Sequence, residues 1–166
     1  IADYLMMIRL KTAVLLATAL KMGAYIANAD EKAQEALYQF GINIGLAFQI
    51  QDDILDVWGD PATFGKAVGG DISCNKKTFV YLTALKKANG ECAQELHMWY
   101  SQVNEDNTAK IAAVKGIFEQ LDVRSACEKQ VDEYTTHAME LLATLPQNAA
   151  TEQLRQLAMK LHNRKL

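Results

Sequence analysis

Residues 40–58, FGINIGLAFQIQDDILDVW, are apolar on nearly every side of a helix yet carry three aspartates near their end. A helix that is greasy all round belongs at the centre of a bundle, so the rest of the chain has to supply helices that cover it. The sequence is suited to that. It has only two prolines and no Val/Ile/Thr run with period-two alternation, which leaves strands little support. The fold class is therefore all-α. Tyr4, Ile8, Thr12, Leu15, Ala19, Met22 and Ile26 recur at steps of three or four and predict one amphipathic helix over 3–28. A second helix runs from about Asp30 to Trp58. Further helices are expected over about 76–89, 91–103, 107–121, 123–145 and 149–163, separated by an Asn-rich stretch, Leu121-Asp122 and Leu145-Pro146-Gln147-Asn148. Residues 59–75 hold one of the two prolines and four of the nine glycines, and form the one long loop. The later helices carry no legible chemistry.

At 166 residues, half of them apolar, the chain reads as a single helical domain over 1–166 with enough material for a core. A net charge of −3 without a basic stripe argues against nucleic acid as a partner. Cys74, Cys92 and Cys127 are odd in number and widely spaced, with no CxxC and no nearby His, which argues against a disulfide framework or zinc site and suits a reducing, cytoplasmic setting. No signal-peptide pattern occurs, and no apolar run reaches the ~20 residues that span a bilayer. The chain opens at Ile1 with the helical pattern already under way, so further helices are expected upstream.

Asp52 and Asp56 are four residues apart, and Asp53 and Asp56 three, so the carboxylates can converge on one patch of helix. Like charges at these spacings repel by a few tenths of a kcal/mol per pair, about 0.2–0.5. They also sit in the last turns, where the macrodipole is already negative. A divalent cation relieves both costs. Mg2+ takes one or two carboxylates and completes its octahedron with waters and phosphate oxygens, so the cluster points to a metal and a phosphorylated ligand together. The plain alternative is a solvated acidic helix end, which the surrounding apolar residues disfavour.

Lysines complement the acids. Lys11, beside Thr12, has Met7, Ile8, Val14 and Leu15 as its helical neighbours, although a snorkelling lysine would look the same. Lys66 follows Gly65 in the loop, where glycine lets backbone approach a ligand, and a solvated lysine is the alternative there. Lys76 and Lys77 follow Asn75, a candidate helix cap, and would suit an anion bound at that helix N-terminus.

Together these residues resemble the trans-isoprenyl diphosphate synthases. Phe48-Gln49-Ile50-Gln51-Asp52-Asp53-Ile54-Leu55-Asp56 is similar to that family's second aspartate-rich motif. The likeness continues through Gly59-Asp60-Pro61, Gly65-Lys66 and Gly69-Gly70-Asp71 to Asn75-Lys76-Lys77-Thr78, with Lys11-Thr12 resembling an upstream Lys-Thr pair. It covers about residues 4–85. The resemblance implies a bundle of the isoprenoid synthase type, here its C-terminal portion. It implies that Asp52 coordinates Mg2+, with Asp53 and Asp56 as further or water-mediated ligands, and that Lys11 and Lys66 hold an allylic diphosphate. Thr12 and Gln49 would line the region where the allylic cation meets isopentenyl diphosphate, and Asp71 and Lys76 would support the closing loop. Phe48 could offer a ring face to the cation. A homodimer is also implied. The first aspartate-rich motif and the isopentenyl diphosphate positions are absent from this sequence, so the chain alone is expected to be inactive. Two alternatives are a class I terpene cyclase and a non-catalytic helical subunit of a prenyl synthase.

Overall fold

The computed structural model describes residues 1–60, 68–103 and 106–164. Helix α1 (Ala2–Ile8) continues through a π-helical turn (Arg9–Ala13) into α2 (Val14–Ile26), and α3 (Glu31–Trp58) follows. Then come α4 (Gly70–Ser73), α5 (Phe79–Lys87), α6 (Gly90–Ser101), α7 (Thr108–Gln120), α8 (Val123–Ala143) and α9 (Ala149–His162). There is no strand among the described residues, and none of the helices searched is long and apolar enough to cross a membrane. The chain forms two compact units, one chiefly of Asp52–Lys129 and the other of Ala2–Gln51 with Gln130–Arg164.

In the second unit, the expected helix over 3–28 is present but its phase is not the expected one. Val14 N–H bonds to Arg9 O, five residues back, which winds one extra residue into the turn. The buried positions step from Ile8 to Ala13, and then to Ala17 and Ala24. Leu15, Met22 and Ile26, assigned to the inner stripe by a constant 3.6-residue period, are exposed.

The small residues that the π turn swings inward meet small residues on α3. A Cβ on Gly41 would lie 2.5 Å from Ala17 Cα, and one on Gly45 would lie 2.6 Å from Ala13 Cα, so the two backbones approach closely along an Ala/Gly seam. Beyond it, Phe40 and Ile44 of α3 pack with Ala138 and Leu142 of α8 and Ala158 of α9. Asn148 starts α9 with a capping box, accepting from Thr151 N while Thr151 Oγ1 accepts from Asn148 N.

In the first unit, Ile54, Leu55 and Val57 of α3 are buried, as are Phe79, Val80 and Tyr81 of α5, Leu96 of α6 and Val114, Ile117 and Phe118 of α7. Trp58 meets Phe118 with ring centroids 6.2 Å apart. Gly69 is left-handed (φ 87°), and a Cβ there would come within 2.8 Å of Ile111, so both its conformation and its contact require glycine. All three cysteines are free, and burial pushes the Cys127 thiol up to about 12.

The seam gives a contrast that can be measured. Gly45→Ala puts a methyl against backbone that cannot yield, and overpacking of this kind costs about 1–3 kcal/mol, more than the ~1 kcal/mol of helix propensity gained. Gly23→Ala, with nothing within 4 Å of its Cβ, is expected to be stabilising by ~0.5–1 kcal/mol. Urea unfolding of both variants checks the difference in sign.

Candidate functional site

The acidic end of α3 lies in the first unit, and Asp53 and Asp56 are each hydrogen-bonded to backbone. Asp53 Oδ2 accepts from Phe79 N–H at 2.9 Å, at the first turn of α5. Asp56 Oδ2 accepts from Asp71 N–H at 2.9 Å, in α4. The Asp56 carbonyl accepts from Gly69 N–H at 2.6 Å as well. Free N–H groups at helix starts are natural partners for carboxylates, so α4 and α5 dock on the charge that α3 presents.

This arrangement divides the trio. Asp56 shares its electrostatic surroundings with Asp71, Lys76 and Asp52. Asp53 is turned toward α5 and influences Cys127. The spacing suggested convergence of all three, but among the residues searched no group of three or more His, Cys, Asp or Glu side chains could hold a metal ion by itself. The reason lies in the partners that return to the helix end: Phe79 N–H of α5 takes Asp53, and Asp71 N–H of α4 takes Asp56.

Burial raises the pKa of Asp56 above the ordinary carboxylate value, and the charges of Asp71 and Asp52 push the same way; the Asp71 N–H bond and Lys76 only partly counter them. Lys76 forms an ion pair with Asp71, which raises the lysine's pKa, and its backbone N–H bonds to Asp71 O at 2.9 Å. Asp71 is the more enclosed partner, with its side chain 16% exposed against 61% for Lys76. The two residues expected to support the closing loop therefore contact each other here.

Asn75 does not cap the following helix. Thr78 does, its Oγ1 accepting from Tyr81 N–H at 3.3 Å, and Asn75 sits three residues earlier in the left-handed region (φ 53°). Lys76 and Lys77 thus precede the helix rather than opening it.

Lys11, Thr12 and Gln49 belong to the other unit. Lys11 and Thr12 fall within the π turn, a distortion that often accompanies functional positions. Lys11 is exposed and lines an open groove with Asp3, Met6, Met7 and Leu10. Thr12 and Gln49 are half-buried. The ring face of Phe48, expected to face a cation, has the guanidinium of Arg164 4.9 Å from its centroid. Lys66, with Gly65, lies outside the described residues.

Sequence reasoning missed Lys110. It lies on α7, is fully buried (0% exposed), and donates to Asn75 Oδ1 and Gln102 O. One signal was present: Ile111, Val114, Ile117 and Phe118 continue the apolar face on which position 110 falls.

The sequence profile of the polyprenyl synthetase family matches residues 1–118, and the chain belongs to that family. Geranylfarnesyl diphosphate synthase of Aeropyrum pernix is 35% identical over 146 residues, which is 88% of this chain and 44% of that protein. A crystal structure of a geranylgeranyl pyrophosphate synthase superposes with a TM-score of 0.90 at 43% identity, covering 100% of this chain and 52% of that one. The Corynebacterium glutamicum geranylgeranyl pyrophosphate synthase, complexed with calcium and isoprenyl diphosphate, superposes with a TM-score of 0.87 at 32% identity over 99% of this chain and 50% of that one. The chain thus spans about half the length of these relatives. The match to residue 118 reaches past the region in which motifs are legible and takes in most of α7, with Lys110.

Substitution separates the two carboxylates. Asp53→Ala removes the acceptor for Phe79 N–H and is expected to cost about 1 kcal/mol, whereas Asp53→Asn keeps an acceptor and costs a few tenths. Asp56→Asn keeps an oxygen for Asp71 N–H while removing a charge that burial disfavours, so its ligand-free melting temperature at neutral pH should rise. Thermal and urea melts of the three variants measure both effects.

Proposed function

We propose that this chain supplies one metal-and-diphosphate half-site of a trans-prenyltransferase, which joins an allylic diphosphate to isopentenyl diphosphate and releases diphosphate. Family membership supports the reaction class. The observation that carries the site is Asp56, a half-buried carboxylate beside Asp52 and Asp71 whose pKa is raised by burial and like charge. A group in that condition gains from a nearby cation.

The donor set fits Mg2+, which needs only one or two protein carboxylates when phosphate oxygens and water complete its shell. Asp52 and Asp56, on one helix face, are the proposed ligands. Asp53, with Oδ2 on Phe79 N–H, is assigned a water-mediated part. Bound Mg2+ would neutralise charge that develops on the diphosphate leaving group as the allylic carbon–oxygen bond breaks.

The chain's own residues do the rest of the work. Lys11 and Lys66 hold the allylic diphosphate by charge-assisted hydrogen bonds. Lys76, drawn toward the acids by Asp71, adds a cation beside the carboxylates and lowers the cost of gathering phosphate there. Thr12 and Gln49 line the path of the reacting carbon chain. The apolar sides of α3 keep water from the cation.

In the intact protein we propose a homodimer. Leu10, Leu15, Met22 and Ile26, exposed along the π turn and α2, supply an apolar face for assembly. The three free thiols suit a cytoplasmic setting. The relatives described above are diphosphate synthases by name, which does not favour the cyclase reading.

Thermal melts with Mg2+ and inorganic pyrophosphate test the half-site. At 100 times Kd a ligand that binds only the folded state adds about 2.7 kcal/mol of stability. That corresponds to a rise of about 5–10 °C in Tm for a chain of this size. The two ligands together should give this rise, either alone much less, and Asp52→Asn should abolish it. No joint effect in the wild-type chain would overturn the assignment. Incubation with isopentenyl and geranyl diphosphates is expected to yield no elongated product, because the chain has a single acidic cluster of this kind.

A further inference from the structure

The best-enclosed charge in the described structure is Lys110 on α7, with 0% of its surface exposed. Burying an ammonium is costly unless its donors are satisfied. Here they meet neutral partners. Nζ donates to Asn75 Oδ1 and, at 3.2 Å, to Gln102 O. Asn75 Nδ2 donates to that same carbonyl at 3.0 Å, which closes a ring of three groups. The Tyr100 ring lies 5.9 Å from Nζ and stacks on Tyr81 of α5 at 3.9 Å. Burial lowers the lysine's pKa. A Met in the same space would avoid the desolvation, and apolar replacements of buried charges are often as stable or more so. The charged residue therefore calls for a reason beyond stability.

Its contacts point to one. Asn75 is held at φ 53°, a conformation that few residues other than glycine adopt readily but that Asn tolerates. The next residue is Lys76, which pairs with Asp71, whose N–H in turn binds Asp56. The path from α7 to the acidic cluster runs Lys110, Asn75, Lys76, Asp71, Asp56. Every link is a hydrogen bond, an ion pair or a peptide bond, and all five residues lie in one compact unit.

We propose that Lys110 is a positioning residue for the half-site: by gripping Asn75 it sets the turn that delivers Lys76 and Asp71 to Asp56. The inference rests on the Mg2+ and diphosphate reading above. It assigns a role to a helix outside the motif region, and it accounts for the buried ammonium and the left-handed Asn75 together.

The test uses the whole chain and three variants. Lys110→Met fills the space without charge, Asn75→Gly keeps the left-handed turn but frees the lysine, and the double variant removes both side chains together from the half-buried Gln102. The readouts are the ligand-free Tm and the Mg2+ concentration giving half-maximal thermal protection at fixed pyrophosphate. Residues that orient metal ligands from behind typically cost 10–100-fold in metal affinity when removed, so a rise of about tenfold in the Mg2+ requirement is expected in each variant. In the double variant it should persist while ligand-free Tm returns toward wild type. Leu142→Ala, destabilised in the core of the other unit, should leave the Mg2+ requirement unchanged and so controls for stability alone. If Lys110→Met does not fold, Asn75→Gly decides the matter. An unchanged Mg2+ requirement in the folded variants overturns the role given to Lys110. A wild-type chain unprotected by Mg2+ and pyrophosphate overturns the underlying site reading, and this inference with it.

Discussion

The last turns of α3 gather negative charge where the helix dipole adds more, and the first unit is organised around answering it. Two aspartates are met by backbone N–H groups from the beginnings of α4 and α5, so one set of unsatisfied groups satisfies another. The N–H donors of a helix start and the acids of a helix end each lack partners within their own helix, so each supplies what the other needs. The acids thus serve twice. They hook the following helices into place, and the charge that remains around Asp56, Asp52 and Asp71 is what a cation would find.

That double use explains why a helix apolar on nearly every side can end in aspartates. Asp53 is committed to structure through Phe79. Asp56 is partly committed through Asp71 and keeps a raised pKa, a sign that its charge is still poorly matched by the protein alone. Lys76 lowers that imbalance without removing it. The cluster is under-neutralised by its geometry, since burial and like charge raise the Asp56 pKa even with Lys76 in place.

Much of this was legible in the sequence, and the part that was not has a physical cause. The long helices were readable because apolar periodicity and Asn, Asp and Pro breaks agree, as at the Asn148 cap. The acidic motif stood out because charge inside an apolar run is rare. The π turn was hidden because a constant period cannot register one added residue; with Ala at positions 13, 17 and 24, the true inner face carries little hydrophobic signal beside Leu15, Met22 and Ile26. The split between Asp53 and Asp56 depended on where α4 and α5 return, which local spacing does not contain. Lys110 was overlooked because a lone lysine on an amphipathic helix usually lies at the solvent edge. Only the fold shows that Asn75 and Gln102 come to meet it.

The π turn also changes what a single-residue deletion means in this helix. Removing one residue between Arg9 and Ala13 would restore ordinary α geometry and place Ile8 four positions before Ala13, so the chain upstream would keep its phase relative to α2. Ile8 would keep its buried position, and what would be lost is the local setting of Lys11 and Thr12 within the turn. Length at this point acts as an angular setting, so the turn keeps Lys11 and Thr12 in one orientation while Ala13 and Ala17 stay pressed against Gly45 and Gly41.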